Sequence, residues 1–409
     1  MVRTGLPAHA AQSTVAESGD SRQPLLYQRI VVKAGTAILS GGGEDSAGVN
    51  LAVLSGIVRQ ICQLREQGAE VMLVTSGAIA VGRAALALRQ AQDERWDAAS
   101  RDIRSRQVAA AVGQSRLMQI YQEQFAVHGV TVAQALLTIG DLSNRQSYLN
   151  VRNTLQGLLE LGVVPLLNEN DVVAVDEIGA VFGDNDRLSA LVANLVDADL
   201  LLILTDIDGL YTADPRVDSS ATLIPHVERV DESIEALAGR HLQPWARGGM
   251  PTKLDAARLV TTSGIPMIMA HGRDDGVALR AARGEPVGTF FQAADEKLEA
   301  RKRWLLNLLT QGSLAQRGQV TVDDGAVAAL VEHHRSLLPA GVRGVAGGFG
   351  RGDAVFVVDG SGNRIACGIA NYSAEDIARI RGLRSGKIEE TLGYHYGQEV
   401  VHRNNLALL

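Results

Sequence analysis

The chain has almost no cysteine. Cys62 and Cys367 are the only two, far apart in sequence. They exclude a disulfide scaffold, and they cannot build a thiolate metal site by themselves. Metal-ligand spacing is missing among the histidines as well. His333 and His334 are adjacent and would point apart on a helix, so they read as surface residues. No apolar run reaches transmembrane length. The first 24 residues are small and polar, without the continuous apolar segment of a secretory signal. These absences predict a cytoplasmic protein with no membrane contact, whose residues 1–26 form a disordered tail. Positive charge is also short, with 39 Lys+Arg against 46 Asp+Glu and a net charge of −7. That argues against a nucleic-acid binder driven by overall basicity. Finally, the chain contains neither G-x-x-x-x-G-K-[ST] nor G-x-G-x-x-G, so it is not a Walker or dinucleotide-binding loop protein.

What remains is an ordinary globular composition, 46% hydrophobic and 21% charged over 409 residues, enough for two or three domains. Short apolar strands alternate with amphipathic helices. Ile30–Val32, Val71–Val74, Val163–Leu167, Leu200–Leu204 and Ile265–Ala270 read as buried strands, with Val130–Leu137 also β-rich and Gly288–Phe290 a short edge piece. Leu51–Glu66, Val108–Phe125 and Tyr148–Leu161 have helical periodicity. This alternation predicts an α/β domain with a mostly parallel open sheet sandwiched by helices.

Four of those strands end in polar or small residues. The first ends in Lys33, Gly35 and Thr36, and the second in Ser76 and Gly77. The third ends in Asn168, Glu169, Asn170 and Asp171, and the fourth in Thr205, Asp206, Asp208 and Gly209. In a parallel sheet these ends share one edge, where ligands bind. A lysine beside a glycine turn can meet a phosphate, and Ser-Gly before a helix presents backbone N–H groups to an anion. Gly183–Asp186 (GDND) precedes a helix carrying Leu188, Leu191, Val192, Leu195 and Val196, with Asp186 expected as its N-cap. Arg247–Lys253 (RGGMPTK) supplies a second phosphate-contact segment at a helix start. Caps and turns would explain any one of these clusters by itself. They would have to do so at four strand ends at once.

VVKAGTAIL, VTSGAIAVG, VPLLNENDVV, GDNDRLSA, LTDIDGLYTADPR and GGMPTKLDAA, in this order, resemble the amino-acid kinase family, over nearly all of the chain after the tail. VxKxGT is shared family-wide. NEND with GDNDxLSA, TADPR and GGMxTK points to the branch that phosphorylates L-glutamate. It speaks against siblings acting on aspartate, N-acetylglutamate, carbamate or a nucleoside monophosphate. The resemblance implies ATP and Mg2+ and transfer to the side-chain carboxylate of L-glutamate, the first step of proline biosynthesis, with proline as feedback inhibitor. It also implies an unstable acyl phosphate passed to glutamyl phosphate reductase, and a homo-oligomer. By motif, Lys33, Lys253 and Asp186 match the catalytic positions. Lys33, Gly35, Thr36, Thr205 and Asp206, with Arg247, Gly248, Gly249, Met250, Pro251, Thr252 and Lys253, match the ATP side. Ser76, Gly77, Asn168, Asp171 and Asn185 match the substrate side. No residue is assigned as a metal ligand. The sequence departs from the family at Ala34 and at Ile178–Phe182, which lacks a basic residue before the glycine; neither that segment nor Arg89–Arg106 receives a role.

The catalytic unit is expected over residues 27–292, followed by a charged linker at 293–315. From 316 to 409 the chain is β-rich with closely spaced glycines and resembles a PUA domain, a small barrel named for RNA-modifying enzymes. Residues 313–409 carry ten Lys+Arg and ten Asp+Glu. That balance lacks the footprint of an RNA surface and favours a structural or regulatory module over RNA binding. Arg351-Gly352-Asp353 reads as a turn before strand Ala354–Val358.

Overall fold

A computed structural model describes residues 24–39, 48–90, 102–143, 145–173, 185–239, 249–294 and 318–409. The first unit runs β1 (Arg29–Ala34), α1 (Thr36–Leu39), α2 (Leu51–Glu66), β2 (Glu70–Thr75), α3 (Ala78–Gln90), α4 (Ile103–Ala126) and β3 (Val132–Leu137). It continues through α5 (Ile139–Ser143), α6 (Arg145–Glu160), β4 (Val164–Glu169), α7 (Asn185–Leu195), β5 (Leu200–Thr205) and β6 (His226–Val227). It closes with α8 (Glu232–Gly239), α9 (Met250–Thr262), β7 (Met267–His271), α10 (Val277–Ala282) and β8 (Thr289–Phe291).

The eight strands form one sheet in the order β3-β4-β2-β1-β5-β7-β8-β6. Strands β3, β4, β2, β1, β5 and β7 pair in parallel, while β8 is antiparallel to β7. Alternate residues of each central strand feed two different cores. Val31 of β1, with Leu201 and Ile203 of β5, packs towards α7 and α9. Ile30 and Val32, with Leu200, Leu202 and Leu204, pack on the side of α2, α4 and α10. All are fully buried, at roughly 1.5–3 kcal/mol of transfer free energy for each such side chain. This explains their unbroken apolar runs. Strand β1 lies at the middle, with β2 on one side and β5 on the other, so the chain reverses its strand order there. Crevices at such points take ligands, and Lys33 stands at this one.

Two sequence expectations need correction. Asp186 is not the N-cap of α7; the helix already includes Asn185, and the Asp186 side chain turns inward to the site. The piece at Gly288–Phe290 is not an edge. Strand β8 is flanked by β7 and β6, and β6 is the edge. With only two residues, β6 has no periodicity to read.

Helices α3 and α4 cross unusually closely. A Cβ built on Gly82 would lie 1.7 Å from the Ala109 carbonyl oxygen, and one on Gly113 would lie 1.8 Å from that of Ala78. Backbone meets backbone here, and no side chain fits.

The second unit comprises β9 (Gln319–Val322), α11 (Asp324–Val331), β10 (Val342–Ala346), β11 (Ala354–Val358), β12 (Arg364–Ile369), α12 (Ala374–Ile380), α13 (Ile388–Leu392) and β13 (Leu406–Leu408). Its sheet order is β10-β9-β11-β12-β13. Val355 and Val357 face its own core with Val320, Val322 and Ile377. The alternate residues Phe356 and Val358, with Cys367 and Ala407, are also buried and share an apolar cluster with the α7–α9 side of the first sheet. Arg351-Gly352-Asp353 forms the expected turn. Gly352 has φ +93°, and Asp353 Oδ2 accepts from the Gly350 N–H at 2.7 Å. His333 and His334 are exposed. Residues 1–23 of the expected tail, most of the linker and Ile178–Phe182 lie outside the described residues. The end of that tail is ordered instead, the Leu26 N–H donating to the Ala282 carbonyl oxygen at 2.9 Å and Leu25 packing on the core.

The helix crossing makes a stability prediction. Gly82→Ala should cost on the order of 1–3 kcal/mol or more, because the methyl group meets backbone. Gly157→Ala in α6, where nothing lies within 4 Å, should be neutral or stabilising by about 0.4–1 kcal/mol. Urea denaturation of both variants checks the contrast; equal effects would contradict the crossing.

Candidate active site

The site assembles from strand ends and helix starts. Lys33, the penultimate residue of β1, is 5% exposed, and Asp186 on the first turn of α7 is 0% exposed. The Lys33 amine forms an ion pair with Asp186 Oδ1. Lys253, on the first turn of α9, donates to Asp186 Oδ2 at 3.0 Å. Thr252 Oγ1 donates to the same oxygen at 3.2 Å. Pro251 falls in that turn, where a missing N–H costs nothing. The Lys33 amine lies over Gly35, where a Cβ would come within 3.2 Å of it.

Burial pushes the Asp186 carboxyl up. The two ammonium groups beside it outweigh that and hold it well below the usual carboxylate range. One carboxylate between two lysines leaves net positive charge in a buried place. A site of that kind favours an anion, and most of all one whose charge is developing.

Next to this triad lies a cavity of about 270 Å³, the scale of a small metabolite. Asn185, Ser76, Gly77, Asn168 and Asp171 line it, together with Thr36, Arg83, Arg106 and Glu169. Asn185 Nδ2 lies 2.8 Å from Ser76 Oγ, 2.8 Å from Asn168 Oδ1 and 2.5 Å from the Thr75 carbonyl oxygen. Its two N–H groups are shared among these acceptors. Asn168 Nδ2 in turn donates to Gln114 Oε1 at 2.7 Å. Asn185 Oδ1 is buried without a hydrogen-bond partner. Gly77 has φ +110°, which lets the Ser76 turn enter α3 without strain. Behind the turn, Thr75 Oγ1 and the Tyr121 hydroxyl are 2.7 Å apart. Burial raises the Asp171 carboxyl, and Arg106 opposes that shift.

The structure therefore brings Lys33, Asp186, Thr252 and Lys253 together, and separately gathers Ser76, Gly77, Asn168, Asp171 and Asn185. Thr36, expected on the nucleotide side, lines the cavity. Thr205 and Asp206 sit at the end of β5, with Thr205 Oγ1 donating to Asp206 Oδ1 at 3.1 Å, and hydrogen-bond to neither group. Gly249 is the N-cap of α9 and Met250 its first residue. Arg247 and Gly248 lie outside the described residues. Sequence reasoning missed Arg83, Arg106 and Gln114. The readable trace of the two arginines was the pair of small-residue steps Ala78/Gly82 and Ala109/Gly113, which marks the helix crossing beside them.

The amino acid kinase family profile matches residues 28–271, and the PUA domain profile matches residues 318–392. A glutamate 5-kinase from Dehalococcoides mccartyi is 47% identical over 384 residues, 94% of this chain and 99% of its own. One from Thermus thermophilus is 46% identical over 387 residues, 95% of this chain and 99% of its own. Among solved structures, a UMP kinase from Bacillus anthracis aligns over 66% of this chain and 98% of its own, at 19% identity and a TM-score of 0.44. That likeness is too slight to carry an argument.

Asp186→Asn removes the neutralising charge and should destabilise the fold by about 3–5 kcal/mol at neutral pH. Because the folded-state pKa is depressed, this contribution is complete above the unfolded carboxylate value of about 3.9. It is lost as the pH falls from there through the folded value. Denaturation curves of wild type and variant should thus converge on acidification; a gap independent of pH would contradict the ion-pair account.

Proposed function

The chain belongs to the amino acid kinase family, and on that premise we propose that it transfers the γ-phosphoryl group of ATP to the side-chain carboxylate of L-glutamate, opening proline biosynthesis. The observation that carries this reading is the Lys33–Asp186–Lys253 triad beside the Asn185-lined cavity. The nucleophile has an unperturbed pKa of about 4.3 and is ionised at neutral pH, so no general base is required. A glutamate carboxylate oxygen forms the new bond to the γ-phosphorus. The bond from that phosphorus to the β,γ-bridging oxygen breaks, and ADP leaves with the electron pair. The work of the protein is to hold two anions together and to stabilise charge on the transferring group. Lys33 and Lys253 approach that group from opposite sides, with Asp186 keeping both amines in place. Ser76, Gly77, Asn168, Asp171 and Asn185 hold the amino acid. Gly35, Thr205, Asp206 and the segment Arg247–Lys253 serve the nucleotide.

Among the described residues no three His, Cys, Asp or Glu groups converge on one point. Mg2+ would arrive with ATP and would supply neutralisation of its phosphates. No helix among the described residues is long and apolar enough to cross a membrane. The remaining assignments follow from this reading: a cytoplasmic homo-oligomer, inhibition by proline at the glutamate site, transfer of the labile acyl phosphate to glutamyl phosphate reductase, and a structural or regulatory PUA-like unit. The balanced charge of that unit supports the last assignment over RNA binding.

Hydroxylamine traps an acyl phosphate as its hydroxamate. The wild type should give hydroxamate that depends on both ATP and L-glutamate, and Lys253→Ala should lower turnover by roughly 10²–10³. Near-normal turnover in that variant would remove Lys253 from the mechanism. Product only with another carboxylate or a nucleotide would move the substrate to a sibling.

A further inference from the structure

The cavity contains two cations that the transfer step does not use. Arg83 lies on α3, next to Gly82. Arg106 lies on the first turn of α4, one turn before Ala109. Gly82 and Ala109 are the residues at which the two backbones touch, so the helix crossing itself brings both guanidinium groups to the cavity wall. Arg106 is only 8% exposed. A guanidinium stays charged when buried, and in that setting it prefers a carboxylate or phosphate that can take two of its hydrogen bonds.

The lining carries both signs of charge, Arg83 and Arg106 together with Asp171 and Glu169. A simple dicarboxylate would be met on one side by like charge. The head of an α-amino acid, an ammonium beside a carboxylate, complements both. Asp171 in the lining is the acceptor suited to the ammonium. The arginines are the donors suited to the carboxylate. Five N–H groups per guanidinium allow each arginine to keep a protein neighbour and still present donors to a ligand. With the head fixed in this way, the side-chain carboxylate is left to point along Asn185 towards its neighbour Asp186 and the two lysines.

We infer that Arg106, assisted by Arg83, binds the α-carboxylate of the substrate and thereby sets which of its two carboxylates is phosphorylated. The inference rests on the glutamate reading given above. It makes Arg106 a specificity determinant acting through binding rather than through the chemical step.

The test compares L-glutamate with 4-aminobutyrate, which keeps the ammonium and the reacting carboxylate but has no α-carboxylate. Arg106→Gln should lower kcat/KM for L-glutamate by about 10²-fold, nearly all of it through KM, because one partner of a buried charge pair is lost. It should leave kcat/KM for 4-aminobutyrate unchanged, and Arg106→Lys should restore part of the loss. If Arg106→Gln does not fold, Arg83→Gln, at a half-buried position, should show the same selectivity to a smaller extent. Equal losses for both substrates, a loss confined to kcat, or no loss would overturn the inference. Glutamate-dependent hydroxamate from the unaltered protein reports separately on the activity. Its absence would overturn the glutamate reading and this inference together, whereas an active wild type with indifferent arginine variants would overturn the inference alone.

Discussion

One buried carboxylate fixes the geometry of the catalytic unit. Asp186 is fully enclosed, and removing a charge from water costs several kcal/mol even after relaxation. The amines of Lys33 and Lys253 compensate that cost directly. The end of β1, the start of α7 and the start of α9 must therefore meet at one point for the fold to tolerate that charge. The same requirement leaves an excess positive charge at the strand-order reversal, beside the cavity. Stability and function draw on one contact. The fold bears a buried ionic cluster that it could replace with apolar packing, and on the proposed reading the replacement would remove the charge that serves the transferring phosphoryl group.

Around that point the division of labour follows from sheet geometry. Parallel strands direct their carboxyl ends to one edge, so residues more than 100 positions apart come into contact, as when Asn185 Nδ2 reaches the Thr75 carbonyl oxygen across 110 positions. The tight α3–α4 crossing adds a wall from the side. Small residues there are a condition for the arginines to reach the cavity, because a bulkier pair would separate the helices and withdraw both guanidinium groups. The second unit relies on plain alternation. Along β11, Val355 and Val357 fill its own core, while Phe356 and Val358 are buried on the opposite face.

Much of this was legible in the sequence, for physical reasons that also explain the gaps. Strands covered on both faces must be short and uniformly apolar, so β1, β2, β4 and β5 stood out. Leu51–Glu66 carried a helical period. Polar clusters after the strands could be placed on one edge without knowing a single contact. Asp186 was placed at the right helix end with the wrong local role, because an aspartate near a helix start looks the same whether it caps the backbone or turns inward to lysines. Strand β6 is too short to carry a pattern. Arg106 sits at the end of a charged stretch and resembles any solvated arginine; its burial follows from a helix crossing made by glycines, which leave no apolar signal. Gln114 was hidden for the same reason, since its partner Asn168 lies 54 positions away.

The most direct test of the central claim is a double-mutant cycle on glutamate-dependent hydroxamate turnover, using Lys33→Met, Asp186→Asn and the combined variant. If Asp186 acts by holding the lysine in place, the two losses describe one device, and the double variant should be no slower than about the worse single variant. Losses that multiply would mean that lysine and carboxylate act independently, and would contradict the account built on their contact.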